Sequence, residues 1–346
     1  MPALLRLCSA WRFLNWKLIL RNGIWSTLLV IVKRCNEFMK IKRMTIVILL
    51  CFAIVSCTTQ QMAFTATPYP TLAAPELTTE HISGWVVYSA LVSREPAANQ
   101  IFLKNLDTGE VTQLTNTRNN SSPKWSPDGS KIVFVSFTKE NLHDIYIMNQ
   151  DGSGQTPIVA TSADEYFPDW SPDGKQILFS SFSRSSASEI YLFDLASKDV
   201  KKLTNTIKDD YLPAWSADGK YIAFTFGMGD SYTQIYTMNN DGTVVRQITN
   251  SDLGEFNSTP VWCPDDTCII FEGGRGGSQL LLLDLDSQTA SPLLGNVFEP
   301  SLIQSWPRRS PVRGYITFIV GETSYAMDMK TKKIYSLGVT GISLYP

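Results

Sequence analysis

The sequence predicts an all-β fold: a six-bladed β-propeller of four-stranded blades, closed by pairing of the C-terminal segment with the first blade. The main support is a short apolar triplet that returns at intervals of 45 to 47 residues, a period typical of repeat architectures. Charged residues make up 18% of the chain, below the roughly 25% usual for soluble domains, which favours a turn-rich β protein. The copies of the triplet are Val86–Tyr88, Ile132–Phe134, Ile177–Phe179, Ile222–Phe224, Ile269–Phe271 and Ile316–Phe318.

Each repeat is predicted to form the strands of one blade. Side chains alternate between apolar and polar in the second and third segments of each repeat, as in strands that pack against neighbouring sheets. A Ser-Pro-Asp-Gly segment separates the first two strands and suits a tight turn, because Pro presets φ and Gly accepts a positive φ. In the second repeat the expected strands are 123–126, 131–136, 144–148 and 155–160.

The first repeat starts at the second strand of the pattern, since no tryptophan motif precedes Trp85. We expect the segment from Gly341 to Pro346 to supply the missing strand and so to remove an exposed edge. A tryptophan recurs near the start of the other repeats and is interpreted as a wedge between blades rather than a ligand platform. These residues are Trp125, Trp170, Trp215, Trp262 and Trp306.

The N-terminal region indicates export. Basic residues precede the apolar run Met44–Ser56, which is shorter than the roughly 20 residues of a membrane span and is predicted to be a signal-peptide core. Its end, Ile54–Cys57, resembles the lipobox of bacterial lipoproteins, in which the cysteine is lipidated. A plain signal peptide with an incidental cysteine is the alternative. Either Met1 or Met39 starts the protein, since residues 1–38 add a second apolar stretch.

These features divide the chain into three parts. Residues 1–56 are the signal region, 57–83 a flexible tether rich in Thr, Pro and Ala, and 84–346 the propeller. The signal region holds nine basic residues and one acidic residue, so the remainder carries 21 basic and 31 acidic residues. A net charge of about −10 on the body argues against nucleic-acid binding.

Cys263 and Cys268 flank the predicted turn of the fifth repeat. In an exported protein they can form a disulfide; two free thiols are the alternative. A zinc site is not expected, because it needs about four ligands and the chain offers only His81 and His143 besides.

The repeats also resemble those of a known family. The copies PKWSPDGSKIVF, PDWSPDGKQILF and PAWSADGKYIAF, with the third-strand segments Ile145–Gly152 and Ile235–Gly242, are similar to TolB-type (WD-like) propeller repeats. The resemblance covers 84–346 and implies a six-bladed propeller used as a binding scaffold in an exported protein. The N-terminal α/β domain of TolB has no counterpart, because the tether leads directly into the blades.

A candidate ligand site lies in the loops that enter the first strand of each blade. Polar residues recur there five and six positions before the tryptophan, and propeller symmetry would gather them around one channel mouth. The rim is predicted to attract a cation, such as a basic peptide segment, an amine terminus or Ca²⁺; no other cofactor or metal is expected. Turn-forming residues in water are the alternative. The residues are Asn119, Asn120, Asp164, Glu165, Asp209, Asp210, Glu255 and Asn257.

No catalytic motif is recognisable. The chain has no Gly-x-Ser-x-Gly segment, and neither histidine lies in a motif, as a serine hydrolase would require. We therefore expect a monomeric, lipid-anchored protein of the cell envelope that binds a protein or peptide without catalysis. A carbohydrate-active or lyase-type propeller enzyme that uses the channel mouth is the alternative, and a purely structural envelope component is a third possibility.

Overall fold

Strands account for all the regular secondary structure in the described part of the chain. The computed structural model describes residues 75–345, except 95–96, 139–141, 184–186, 228–231, 275–278, 300, 312–313 and 341–342. The signal region, Cys57 and most of the predicted tether lie outside the described residues. No helix able to span a membrane is found among the described residues.

Six sheets of the predicted kind form the blades, and the fold class is confirmed. In each blade the strands are given from the inner to the outer one. Blade 1 consists of β25 (Ser343–Tyr345), β2 (Trp85–Arg94), β3 (Ala97–Asn105) and β4 (Val111–Gln113), blade 2 of β5 (Asn119–Trp125), β6 (Lys131–Phe137), β7 (His143–Asn149) and β8 (Thr156–Val159), and blade 3 of β9 (Asp164–Trp170), β10 (Gln176–Phe182), β11 (Glu189–Asp194) and β12 (Val200–Lys202). Blade 4 consists of β13 (Asp209–Trp215), β14 (Tyr221–Gly227), β15 (Thr233–Asn239) and β16 (Arg246–Gln247), blade 5 of β17 (Ser258–Trp262), β18 (Cys268–Gly273), β19 (Gln279–Asp284) and β20 (Ala290–Pro292), and blade 6 of β21 (Gln304–Arg309), β22 (Tyr315–Val320), β23 (Thr323–Asp328) and β24 (Lys333–Thr340).

The two ends of the propeller meet in blade 1, as predicted. Strand β25 pairs antiparallel with β2, with Val87 opposite Tyr345. A further strand, β1 (Glu76–Thr78), pairs parallel with β24, with Glu76 opposite Lys333. The sequence predicts that these three residues belong to the tether, but the structure places them on blade 6, where they cover the otherwise open outer edge.

The core lies between blades. The last residue of the apolar triplet is a phenylalanine in five blades and is at most 1% exposed, the set being Phe134, Phe179, Phe224, Phe271 and Phe318. Trp170, Trp215 and Trp262 are 3 to 6% exposed, and Trp170 packs with Val133 of the preceding blade. These tryptophans are therefore wedges between blades, as predicted, because a four-stranded sheet needs neighbours on both faces.

The interpretation of Trp306 as a fifth wedge is wrong. The inner strands of blades 2 to 6, which are β5, β9, β13, β17 and β21, each contain a bulge. At this bulge the residue before a proline has a φ of 51 to 56°. Trp306 is the bulge residue of β21, equivalent to Leu212 of β13. Arg309 takes the wedge position two residues after the proline. The spacing of the repeats alone did not reveal that Trp306 precedes the proline, whereas the other four tryptophans follow it.

Candidate functional site

The loops that enter the inner strands define one end of the central channel, which we call the mouth. The starts of the inner strands, the ends of the second strands and the starts of the third strands all lie here, as the pairing of Asn119 with Phe137 and of Phe137 with His143 shows in blade 2. The opposite end, where the inner strands run into the Ser-Pro-Asp-Gly type turns, is the far face.

In three of the four predicted polar pairs, the side chain of the first member caps a strand of the preceding blade. Asp164 Oδ1 accepts a hydrogen bond from the backbone N–H of His143 at 3.0 Å, and Asp209 Oδ1 accepts one from Ser188 at 2.8 Å. Asn119 Oδ1 accepts one from the backbone N–H of Asn99 at 2.8 Å. These side chains lie at the mouth and join neighbouring blades there.

The second member of each pair is buried between blades instead of facing the channel. Asn120 is 2% exposed, and Glu165, Asp210 and Asn257 are fully buried. Glu255 is exposed, and its backbone carbonyl accepts a hydrogen bond from Thr233. The predicted polar residues therefore do not form one rim around the mouth. The first members cap strands at the mouth, and the second members are buried in the contacts between blades.

Two of the blade contacts are built from amides. Asn120 Nδ2 donates to Gln100 Oε1 at 3.1 Å, and Thr115 donates to the same oxygen at 2.7 Å. The contact between blades 4 and 5 repeats the arrangement, with Asn257 Nδ2 donating to Gln234 Oε1 at 3.0 Å. Amide groups satisfy each other without a charge.

The two contacts between these hold carboxyl groups at the same places. Glu165 faces Asp144, and Asp210 faces Glu189. Burial raises the pKa of Glu165 to about 7, and the charge of Asp144 adds to the effect. Burial likewise raises the pKa of Asp210 to about 7, with Glu189 contributing. Both carboxyl groups therefore titrate close to neutral pH.

A row of half-buried aromatic residues, which we call the aromatic belt, crosses the mouth from blade 2 to blade 4. His143 lies between Phe137 and Tyr166, with ring centroids at 4.8 and 4.6 Å. Successive ring contacts of 4.6 to 6.4 Å continue through blade 3 into blade 4. The belt comprises Phe137, His143, Tyr166, Phe167, Phe182 and Tyr211.

His143 also forms a polar cluster within the belt. Its Nδ1 lies 2.9 Å from Asp164 Oδ1 and 2.6 Å from the hydroxyl of Tyr166. Burial, together with the charge of Asp164, raises the pKa of Tyr166 to about 12, so its phenol is neutral at physiological pH. The cluster offers a histidine oriented by a carboxylate at a half-exposed position.

The sequence patterns did not predict the aromatic belt. The sequence did contain a signal for it. Phe137 and Phe182 are the last residues of the second strands of blades 2 and 3, and a polar residue is common at such a strand end. Tyr166 and Tyr211 follow the predicted polar pairs directly. Only the arrangement of the blades shows that these rings touch one another.

A cavity of about 390 Å³ occupies the channel toward the far face, lined by the inner strands of blades 2 to 6. Within it, Lys124 Nζ lies 2.8 Å from Asp169 Oδ1, and Asp169 Oδ2 accepts a hydrogen bond from the backbone N–H of Trp215 at 2.8 Å. Asp169 thus joins three consecutive blades. The arrangement stabilises the wall of the channel.

Cys263 and Cys268 are joined by a disulfide, with their Cα atoms 5.2 Å apart. In blades 2 to 4, the serine at the position of Cys263 accepts a hydrogen bond from the N–H five residues later at 2.9 Å, as Ser171 does from Gln176. In blade 5 the covalent bond joins the same two positions. The disulfide therefore reinforces the turn rather than forming part of a site at the mouth.

Comparison with known proteins identifies relatives. The sequence model of a family described as the TolB beta propeller domain matches residues 86–301. A search of the curated proteins finds no match. Among solved structures, TolB from Acinetobacter baumannii is 25% identical, with a TM-score of 0.60, and the similarity covers 73% of this chain and 63% of that one. The chain thus spans less than two thirds of the length of that protein.

Two further solved structures share the fold at lower identity. The putative TolB from Agrobacterium tumefaciens is 20% identical, with a TM-score of 0.56 over 74% of this chain and 89% of that one. An oligogalacturonate lyase in complex with manganese is 13% identical, with a TM-score of 0.54 over 75% of this chain and 76% of that one. At these identities the similarity concerns the fold alone.

Proposed function

Because this chain belongs to the TolB beta propeller domain family, we propose that its propeller is a non-catalytic scaffold that binds a protein or peptide partner at the mouth of the channel. Membership of the family supports protein binding in general. The observation that carries the choice of the mouth is the aromatic belt. Half-exposed aromatic side chains on a rigid framework are enriched at protein interfaces, because they supply a large contact area at low entropic cost.

Charge favours a basic segment in the partner. Asp164 and Asp209 lie beside the belt, and the net charge of the chain after residue 56 is about −10. Ca²⁺ is a poorer fit. In the described part of the chain, the one set of three potential metal ligands is Cys263, Asp265 and Cys268, and its two sulfurs are bonded to each other. A lysine or arginine of the partner needs only one or two carboxylates.

The partner is best identified by crosslinking in cells and then titrated in purified form. We expect Phe182→Ala and Asp209→Asn to weaken binding of the purified partner, each by about tenfold, since aromatic and paired charged residues dominate such interfaces. Tyr221→Ala is the matched control, because Tyr221 is 43% exposed but lies at the far-face end of β14. Equal loss with the control, or no loss with either mouth variant, would reject the mouth as the binding surface.

We further propose that the protein is exported and anchored to a membrane of the cell envelope by lipidation of Cys57. The support is the lipobox-like sequence and the apolar run before it. The intact mass of the protein from the membrane fraction tests this proposal: a diacylglyceryl group is expected on the wild type and not on Cys57→Ser.

An enzyme remains the second candidate, favoured by the cluster of His143, Asp164 and Tyr166. A histidine oriented by a carboxylate can act as a general base. Glu165 and Asp210 cannot serve a substrate in the same way, because both are fully buried between blades. Turnover of acidic oligosaccharides that disappears in His143→Ala, with partner binding retained, would favour this candidate over the scaffold.

A further inference from the structure

One strand position at the mouth is polar in blades 2 to 4 and apolar in blades 5 and 6. In blades 2 to 4 it holds the strand caps Asn119, Asp164 and Asp209. Strand pairing identifies the equivalent residues, because in all five blades the residue two positions later lies opposite the residue that follows the phenylalanine of the apolar triplet. By this register the equivalent residue is Phe256 in blade 5 and Ile303 in blade 6.

A backbone group replaces the side-chain cap at the contact between blades 4 and 5. In blade 3, the backbone N–H of Ser188 donates to Oδ1 of Asp209 in blade 4 at 2.8 Å. The equivalent N–H of blade 4, that of Thr233, donates to the backbone carbonyl of Glu255 at 3.0 Å. This strand start is therefore capped without a side chain from blade 5, and the side chain of Phe256 is 49% exposed.

The loops that enter blades 4, 5 and 6 each present exposed large apolar side chains, which we call the apolar rim. It comprises Ile207, which is 96% exposed, Phe256, Leu302 and Ile303, which is 63% exposed. The loops that enter blades 2 and 3, residues 114–118 and 160–163, are fully described and expose no large apolar side chain. Single exposed apolar residues are common on protein surfaces, but their recurrence in one kind of loop on three consecutive blades indicates a contact surface.

The apolar rim lies beside carboxylates. Asp164 and Asp209 cap strands at the mouth, and the exposed Glu255 directly precedes Phe256. A lipid surface that carries anionic headgroups would be repelled by these carboxylates. A peptide segment with both a basic and an apolar side chain is complementary to the charge and to the apolar surface at once.

We propose that the mouth recognises an amphipathic segment of the partner, which places a basic side chain beside Asp164 and Asp209 and packs an apolar side chain on Phe256 and Ile303. The inference rests on the proposed function and adds the chemistry of the partner. It also assigns a role to blades 5 and 6, which the aromatic belt does not reach. The apolar contact supplies affinity, and the carboxylates fix the direction of the segment across the mouth.

A library of random peptides displayed on phage tests this recognition chemistry on the full-length protein. Sequencing of the selected peptides gives the enrichment of each residue type. On the wild type we expect enrichment of both basic and large apolar residues. On Phe256→Ser with Ile303→Ser, the apolar enrichment should disappear and the basic enrichment remain. On Asp164→Asn with Asp209→Asn the reverse is expected, since asparagine can still accept the capping hydrogen bond.

Titration of one selected peptide measures the size of the effect. The Kd should rise about tenfold in Phe256→Ser, because an apolar contact at the interface is lost. Val245→Ser is the matched control, since Val245 is 53% exposed but lies at the far-face end of β16. No enrichment on the wild type, unchanged affinity in Phe256→Ser, or an equal loss in Val245→Ser would overturn the proposal.

Further outcomes separate this inference from the proposed function. Weaker binding in Phe182→Ala, with full binding in Phe256→Ser and Ile303→Ser, would overturn the inference and leave the mouth as the binding surface. If none of these variants changes the affinity, both fail. Binding of the wild type to vesicles of phosphatidylethanolamine and phosphatidylglycerol that is lost in Phe256→Ser would assign the apolar rim to a lipid surface instead. Self-association in sedimentation that the same variant abolishes would assign it to a second copy of the chain.

Discussion

Replacing the two buried carboxyl groups by amides should stabilise the protein at neutral pH and remove most of the pH dependence of its stability. The variant is Glu165→Gln combined with Asp210→Asn. It places an amide at the position of Asn120, whose Nδ2 donates to Gln100 Oε1 at 3.1 Å, in both acidic blade contacts. Thr161 donates to Glu165 Oε1, and the amide oxygen of a glutamine can accept that bond in its place. The introduced amide N–H groups would then face Asp144 and Glu189.

The size of the effect follows from the pKa values. Each carboxyl has a folded pKa of about 7, against ordinary values of 4.5 for Glu165 and 3.8 for Asp210. The folded protein therefore holds protons that the unfolded chain releases, and the free energy of unfolding falls as the pH rises from about 4 to about 7. The loss is of the order of 3 kcal/mol for Glu165 and 4 kcal/mol for Asp210, as upper limits. The carboxyl groups with lowered pKa act in the opposite direction, and only below about pH 4.

Urea unfolding at pH 5 and pH 8 measures the effect. The wild type should be more stable at pH 5 than at pH 8. The double variant should lose less stability between these values, with part of the remaining loss due to Glu272, whose pKa burial also raises. At pH 8 the double variant should be more stable than the wild type. Glu110→Gln with Asp199→Asn is the matched control, because both side chains are exposed. A wild type that gains stability from pH 5 to pH 8, or a double variant with an unchanged pH profile, would refute the reasoning.

Two further outcomes concern the framework. Reduction of the disulfide, or Cys263→Ser with Cys268→Ser, should lower the free energy of unfolding by about 2 kcal/mol, as loop entropy predicts for so short a loop. Thermal melts with and without reductant measure this loss of stability, and equal melting temperatures would contradict the prediction. Asp169→Ala should cost about 2 to 3 kcal/mol, because Lys124 and the N–H of Trp215 lose their acceptor, whereas Asp169→Asn should cost less, since the amide oxygen still accepts the N–H. Equal costs for these two variants in urea unfolding would exclude this role of the N–H bond.

The fold could be predicted because its signal is local. Each blade is encoded by one continuous segment, whose triplet and turn sequence set the strands without reference to distant residues. The wedge role of Trp170 and the pairing of the C-terminal segment with blade 1 follow from the same pattern. The pattern failed where the local signal was coincidental: Trp306 has the expected residue type but lies at the bulge, three positions before Arg309 in the wedge position.

The site was only partly predictable. Recurrence in the sequence identified the polar pairs, and the structure places the first member of each at the mouth. The recurrence in the sequence did not reveal that Glu165 and Asp210 are buried, because their burial depends on Asp144 and Glu189 of the preceding blades. The aromatic belt was missed for the same reason, since each of its rings is unremarkable within its own strand.

The sequence by itself determined the number of blades, the strands in each and the closure of the ring, because these depend on short-range patterns of apolar and turn-forming residues. The tertiary structure decided which polar side chains are buried between blades, which rings meet at the mouth, and where β1 lies. Those features arise at contacts between consecutive sheets, where the environment of a side chain is set by residues of another repeat and not by its own neighbours in the chain.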